Sequence, residues 1–144
     1  MNTTMQQQQT LSLKNACVAF IFAYQQKAVD RMLRFCDPEG LVHFEPIGQS
    51  GKIHELGKAI WTALIDAFPD IDNTLDAAVA EDDRVVRCQV VIRGTQQKDF
   101  AGIPSKGARF ESDHIFIFRL NPHNLITDIR VIWNHADFCR QLGA

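Results

Sequence analysis

The chain has 144 residues and a formal net charge of −2, with 46% apolar and 22% charged residues, which is ordinary globular usage. This length is enough for one domain with a real core. No apolar run is long enough to predict a membrane-spanning helix, and the near-neutral charge without a basic stripe argues against nucleic acid as the main partner. The N-terminus lacks the charged-then-apolar order of a secretory signal, so we expect a soluble, cytoplasmic protein.

The cysteine pattern indicates packing thiols in a reduced compartment. The four cysteines are Cys17, Cys36, Cys88 and Cys139, and none has the spacing of a redox pair or a zinc site. The histidines are scattered over separate predicted elements, and no Gly-rich phosphate loop or dinucleotide fingerprint occurs. We therefore expect neither a metal nor a cofactor.

The first half of the chain has mainly helical periodicity. The polar, Gln-rich residues 1–10 are predicted to form a flexible lead before a single domain over residues 11–144. Apolar residues then recur every three or four positions, which is the period of an amphipathic helix. The predicted helices are Thr10–Gln26, Ala28–Phe35 and Ile53–Phe68, the last of them ended by Pro69.

The remaining segments favour turns and strands. Composition predicts a turn at Asp37–Gly40, a strand at Leu41–Pro46 and a loop at Gly48–Gly51. Beyond Pro69, segments rich in β-branched and aromatic residues show partial alternation, which is typical of strands. These predicted strands are Thr74–Ala80, Arg84–Gly94, Ala108–Leu120 and Leu125–Asn134, followed by a closing helical turn at Ala136–Leu142.

Helices followed by a run of strands predict an α+β fold, with helices packed on one face of a curved antiparallel sheet. Ile115 and Ile117 alternate with Phe116 and Phe118, so this strand is apolar on both faces. One face would cover the helices and a cavity that takes a small hydrophobic ligand. Because a large exposed apolar face is rare on monomers, a second copy would cover the other face, giving a homodimer or homotetramer.

Three motifs, in order along the chain, resemble those of a known family. Trp61–Asp70 resembles the W-x-x-L-x-x-A-F-P-D segment of SnoaL-like polyketide cyclases. Gly94–Pro104 looks like their G-T-H-x-G-x-F-x-G-I-P loop, and Arg140–Gly143 is similar to their C-terminal R/Q-Q-L-G. The similarity covers nearly the whole chain from Leu11 onward.

The resemblance implies a fold that agrees with the order of the predicted elements. It is the cone-shaped, cystatin-like α+β barrel shared by nuclear transport factor 2, ketosteroid isomerase and scytalone dehydratase. Three N-terminal helices pack on the concave face of its sheet. This fold carries both enzymes and binding proteins, so function has to be argued from the pocket.

The resemblance also implies a catalytic pair that this sequence lacks. In the cyclases, an Asp on the last strand acts as acid/base in an aldol ring closure, and a His on the neighbouring strand assists. The match places that Asp at Val131 and that His at Phe116. Gln96 stands where the family loop has a His. The apolar residues Phe116 and Val131 at these two positions favour a ligand-binding role as the alternative to catalysis.

Asp128 is one candidate for the missing chemistry, because relatives carry an acidic residue at its place in the last strand. A carboxylate inside an apolar cavity has a raised pKa and can exchange protons near neutrality. Simple alternation, however, puts Asp128 and Arg130 on the face opposite to Val131. A solvated pair on the outer side of the sheet is therefore the other interpretation.

Two histidines complete the candidates. His114 lies an even step from Phe116 and shares its face, so it is either a general base in the cavity or a core or rim histidine. His43 and Glu45 share a face of the first strand. They either act in the site, by holding a water or polarising a substrate oxygen, or form a pair on the surface. The predicted substrate-binding residues are Trp61, Phe116, Phe118, Val131, Trp133 and Glu45.

These residues define three functional hypotheses. The first is a cofactor-independent lyase or isomerase that acts on a small hydrophobic carbonyl or polyketide-like compound through Asp128, His114 and His43. The second is a non-catalytic small-molecule-binding or accessory protein that uses the same cavity. The third is a hydrolase or dehydratase that uses His43 with a bound water.

Overall fold

The computed structural model of the chain describes residues 2–144, without the side chains of residues 1–6 and 9. The four α-helices are α1 (Asn2–Gln25), α2 (Val29–Arg34), α3 (Lys58–Ala67) and α4 (His135–Gln141). The six strands are β1 (Cys36–Phe44), β2 (Gln49–Lys52), β3 (Asp72–Asp82), β4 (Val85–Thr95), β5 (Arg109–Leu120) and β6 (Ile126–Trp133). The predicted strands after Pro69 all form, with ends that differ by at most two residues.

The helices differ from the prediction mainly at their N-terminal ends. α1 begins at Asn2 instead of Thr10, because Gln and Met are good helix formers and can extend a helix already nucleated by packing. Met1 lies outside the described residues, and the flexibility expected for residues 1–10 stays a prediction. The predicted third helix divides into one π-helical turn at Ile53–Gly57 and then α3.

The segment between α2 and α3 differs most from the prediction. β1 begins at Cys36, so the predicted turn Asp37–Gly40 lies inside a strand. Its Pro and Gly instead form an irregularity: Cys36 pairs with Ile126 and Leu41 with Asp128, leaving four residues of β1 opposite one of β6. The predicted loop Gly48–Gly51 largely becomes β2, which pairs antiparallel with β1.

The strands form one curved, unclosed sheet in the order β2-β1-β6-β5-β4-β3, and the α+β prediction is confirmed. Four of the five strand pairs are antiparallel, whereas β1 and β6 run parallel. A parallel pair needs a long crossover, and here the connection is the whole chain between β1 and β6. This pairing brings the first and last strands side by side.

Aromatic packing holds the helices on the sheet. The Trp61 ring in α3 meets Phe20 of α1 at a centroid distance of 5.5 Å and Phe44 of β1 at 5.9 Å, both edge to face. Phe20 in turn meets Phe118 of β5 at 5.3 Å. All four side chains are buried, and such aromatic pairs add to the stabilisation from burial alone.

The three motifs that resemble the cyclases hold separate parts of this fold together. Asp70 Oδ1 accepts a hydrogen bond from the Thr95 backbone N–H at 2.7 Å, a bond that lowers the pKa of the Asp70 carboxyl. In the C-terminal motif, the Gln141 side chain bonds both the N–H and the C=O of Glu111, at 2.8 and 2.9 Å. The three motifs therefore stabilise the fold, and their presence indicates the fold.

The cysteines occupy the places expected of packing thiols. Cys17, Cys36 and Cys88 are buried and free. Burial raises the pKa of the Cys36 and Cys88 thiols to about 12, so both are protonated and unreactive at neutral pH.

Replacing Gly57 tests the contact on which α3 depends. A Cβ at Gly57 would lie 2.6 Å from Cζ3 of the Trp61 ring. We expect Gly57→Ala to lower the free energy of unfolding by about 1–3 kcal/mol through overpacking, although alanine is the better helix former. Urea denaturation measures it. In a Trp61→Phe background the penalty should shrink; an equal penalty in both backgrounds would contradict the clash.

Candidate functional site

A cavity of about 470 Å³ lies between the helices and the inner face of the sheet. Its wall is largely aromatic and aliphatic, as small-molecule sites usually are. The side chains that bring titratable or amide groups to it are Tyr24, Gln49, Asp99, His114 and His135. No Lys or Arg is among the described residues that line it, so this part of the wall carries no fixed positive charge.

Several of the residues predicted from sequence meet on this wall. Phe116 and Val131, the positions that the resemblance assigns to the cyclase acid/base pair, are directly paired across β5 and β6 and line the same cavity. Phe118 is fully buried and stacks on Phe116 at 5.9 Å, but it is not part of the wall. The predicted residues that line the cavity are Trp61, His114, Phe116, Val131 and Trp133.

His114 is oriented by its own strand and by a tryptophan. Its Nδ1 lies 3.2 Å from the Ser112 carbonyl oxygen, and its ring stacks on Trp133 at 5.5 Å with an interplanar angle of 18°. A carbonyl can only accept, so in the neutral ring Nδ1 carries the proton and Nε2 keeps a lone pair. Nε2 has no partner among the described residues. His114 lines the same cavity as Phe116, as their even spacing along the strand predicts.

The environment keeps His114 neutral. Burial lowers the pKa of the imidazole to about 4, and the Ser112 carbonyl and the nearby Asp113 carboxylate oppose this only in part. At neutral pH the ring is a deprotonated base and an acceptor of hydrogen bonds at Nε2.

His135 and Asp99 are wall residues that the sequence analysis missed. His135 Nδ1 accepts from Trp133 Nε1 at 3.2 Å, and its Nε2 lies 3.4 Å from the Cys139 sulfur. The sequence signal that could have placed His135 on the wall is its position two residues after Trp133. Asp99 is held by a bond from the Ser105 N–H at 2.9 Å, inside an irregular loop whose shape no periodicity predicts.

Asp128 and His43 lie on the other face of the sheet and do not line the cavity. His43 Nε2 is 2.9 Å from Asp128 Oδ1, while its Nδ1 is 2.9 Å from Ser50 Oγ. Glu45 likewise points away and pairs with Arg130 at 2.9 Å. The alternation of β1 and β6, with Val42 and Val131 buried, sends these polar neighbours outward. The prediction that the side chains of Asp128, His43 and Glu45 face the cavity is therefore wrong.

Within residues 2–144, no group of three or more His, Cys, Asp or Glu side chains is arranged to hold a metal ion. No helix in the same range is long and apolar enough to cross a membrane.

A curved sheet that holds an apolar cavity under its N-terminal helices defines the class of α+β proteins with the nuclear transport factor 2-like fold. The family model of the SnoaL-like polyketide cyclases matches residues 15–142. The chain belongs to the SnoaL-like polyketide cyclase family.

Solved structures extend this similarity across most of the chain. A candidate SnoaL-like polyketide cyclase from Jannaschia sp. CCS1 has a TM-score of 0.84 at 15% identity, covering 94% of both chains. TsrD from Streptomyces laurentii has 0.78 at 27% identity, covering 93% of this chain and 96% of its own. AclR, a candidate hydroxylase from Streptomyces galilaeus, has 0.80 at 17%, covering 93% and 97%. No curated protein is significantly similar to the sequence.

His114 should make stability depend on pH in a defined window. Its folded-state pKa of about 4 lies below the ordinary value near 6.5, so between these values the unfolded chain binds a proton that the folded chain does not. Stability from this group is complete above that window and falls as pH falls, by up to about 1.4 kcal/mol per unit.

Urea unfolding at pH 7, 6 and 5 measures this dependence. His114→Asn keeps a donor for the Ser112 carbonyl but does not titrate, so its stability should fall less than that of the unmodified chain. Parallel curves for the two proteins would show that His114 is not buried as a neutral base.

Proposed function

We propose that this protein is a cofactor-independent lyase or isomerase of a small hydrophobic carbonyl compound, such as a polyketide-like ring precursor. The observation that carries the proposal is the geometry of His114, whose unpartnered Nε2 belongs to a ring on the wall of an aromatic cavity. Family membership supports the cyclase-type chemistry. The cavity volume supports a ligand of two or three fused rings.

The chemistry begins with proton transfer from carbon. His114 Nε2 takes a proton from the carbon next to the ligand carbonyl, and the C–H electron pair moves into the enolate with its charge on oxygen. Return of the proton to another carbon completes an isomerisation. Attack of the enolate carbon on a second carbonyl closes a ring instead, and the alkoxide that this forms takes the proton back from His114.

The low basicity of His114 defines which substrates suit it. An imidazole of pKa about 4 is always deprotonated at neutral pH but is a weak base. It matches carbon acids made acidic by an aromatic ring or a second carbonyl group. Asp128 and His43 have no part in this mechanism, because their side chains bond each other on the opposite face of the sheet.

Exchange of carbon-bound hydrogen tests the proton transfer without knowledge of the natural substrate. 2-Tetralone in D₂O, followed by proton NMR at C1, reports enolisation directly. We expect the protein to accelerate exchange and His114→Asn to slow the catalysed rate at least ~10-fold. This is less than the usual contribution of a general base, because His114 is a weak base. The rate should be constant above about pH 5 and fall below about pH 4.

The matched control is His43→Asn, the same change on the outer face of the sheet. It should leave the exchange rate unchanged. An equal loss in both variants would indicate damage to the fold, and no loss in His114→Asn would refute His114 as the base.

A binding or accessory role is the second candidate. It is favoured by Phe116 and Val131, which make the positions of the family's acid/base pair apolar. Saturable binding of 2-tetralone without any acceleration of exchange would favour this role over catalysis.

The exposed apolar residues on the outer face of the sheet support a homodimer. The location that we propose for it is the cytoplasm. Ile115 pairs with Ile132 on this face, and Ile132 and Leu41 are exposed at 36% and 44%. Such a patch gains free energy when a second copy covers it. The free thiols of the buried cysteines fit a reducing compartment.

Charge substitution on this face tests the dimer. Light scattering after gel filtration should give a mass of two 16.3 kDa chains for the unmodified protein and of one chain for Ile132→Lys, because a buried unpaired charge is costly. Val79→Lys, at an exposed position on the edge strand β3, should remain dimeric. A monomeric unmodified protein would refute the interface.

A further inference from the structure

Tyr24 presents the cavity with a hydroxyl group that no atom of the described residues bonds. It lies near the C-terminal end of α1, is 2% exposed and lines the cavity. It is the only tyrosine of the chain. The hydroxyl of a buried tyrosine normally has a hydrogen-bond partner, yet the phenol oxygen of Tyr24 has none among the described residues.

The hydroxyl of Tyr24 must reach open space. The buried side-chain atoms that lack both a partner and solvent contact are Arg87 Nε and Gln96 Oε1 among the described residues, and Tyr24 Oη is not one of them. Since Tyr24 is almost fully buried and lines the cavity, the space that its hydroxyl reaches is the cavity. Burial raises the pKa of the phenol, which keeps the proton on oxygen.

The cavity therefore combines a free donor with a free acceptor. Tyr24 on α1 supplies an O–H, and His114 on β5 supplies the Nε2 lone pair. Both groups are neutral at pH 7, and the wall has no Lys or Arg to pair with an anion. A carboxylate ligand would lose its hydration without a counter-charge, so the wall suits an uncharged ligand with an acceptor oxygen.

We propose that Tyr24 donates a hydrogen bond to the carbonyl oxygen of an uncharged aromatic ketone, and so selects ketones over hydrocarbons of the same shape. The proposal rests on the proposed function for the chemical class of the ligand, but it concerns binding and does not need turnover. During enolisation the same bond would receive the charge that develops on oxygen.

A matched pair of ligands isolates the hydrogen bond. 2-Acetonaphthone and 2-isopropenylnaphthalene have nearly the same shape, but only the first has a carbonyl oxygen. NMR titration of the full chain gives both dissociation constants. For Tyr24→Phe we expect 2-acetonaphthone to bind roughly 3- to 10-fold more weakly, the effect of one neutral hydrogen bond. Binding of 2-isopropenylnaphthalene should change less than ~2-fold, within the scatter of such comparisons.

The single tyrosine provides a direct readout. With ¹³Cζ-labelled tyrosine the protein has one labelled resonance, which should shift on binding 2-acetonaphthone and shift much less with the hydrocarbon. Tyr24→Phe should also unfold at the same urea concentration as the unmodified chain, because its lost hydroxyl has no partner.

Several results would overturn the proposal. They are an equal loss of affinity for both ligands, no loss for the ketone, no measurable binding of 2-acetonaphthone to the unmodified chain, or clear destabilisation by Tyr24→Phe. The proposed function fails by a different result, an exchange rate that His114→Asn does not change. Ligand discrimination by Tyr24 without exchange would leave this proposal standing and reject catalysis.

Discussion

The packing of Trp61 is the contact on which the architecture depends. Its ring touches α1 through Phe20 and β1 through Phe44, and Gly57 permits this position by having no Cβ. Interiors are packed too densely for such a group to move without effects on its neighbours. Trp61 is also part of the cavity wall, so the same ring holds the helices on the sheet and shapes the site beneath them.

The parallel pairing of β1 and β6 places the apolar and the polar residues of the two strands on opposite faces of the sheet. Inward positions of the two strands, such as Phe44 and Val131, line the cavity. Outward positions carry the chain of bonds from Ser50 through His43 to Asp128. This group has the composition of a catalytic triad, but its bonds tie three adjacent strands together on an open face.

The features that identify the family and those that would perform chemistry are different residues. Asp70, Gly94 and Gln141, which belong to the three motifs that resemble the family, make contacts between elements of the fold. The cavity instead offers His114 and Tyr24 from other places on its wall. Membership of the family therefore defines the cavity, and the groups inside it define the chemistry.

The order and type of the main elements follow from the amino-acid sequence, because periods of 3.6 and 2 indicate which side of each element is buried. The same alternation correctly put His114 beside Phe116 and Asp128 on the opposite face to Val131. It could not show that Asp37–Gly40 forms an irregularity inside β1, because Pro and Gly favour turns unless a neighbouring strand pairs with them. Nor could it bring Tyr24 and His114 to one cavity: they lie on α1 and β5, and only packing of the helices on the curved sheet decides that two distant side chains share a wall.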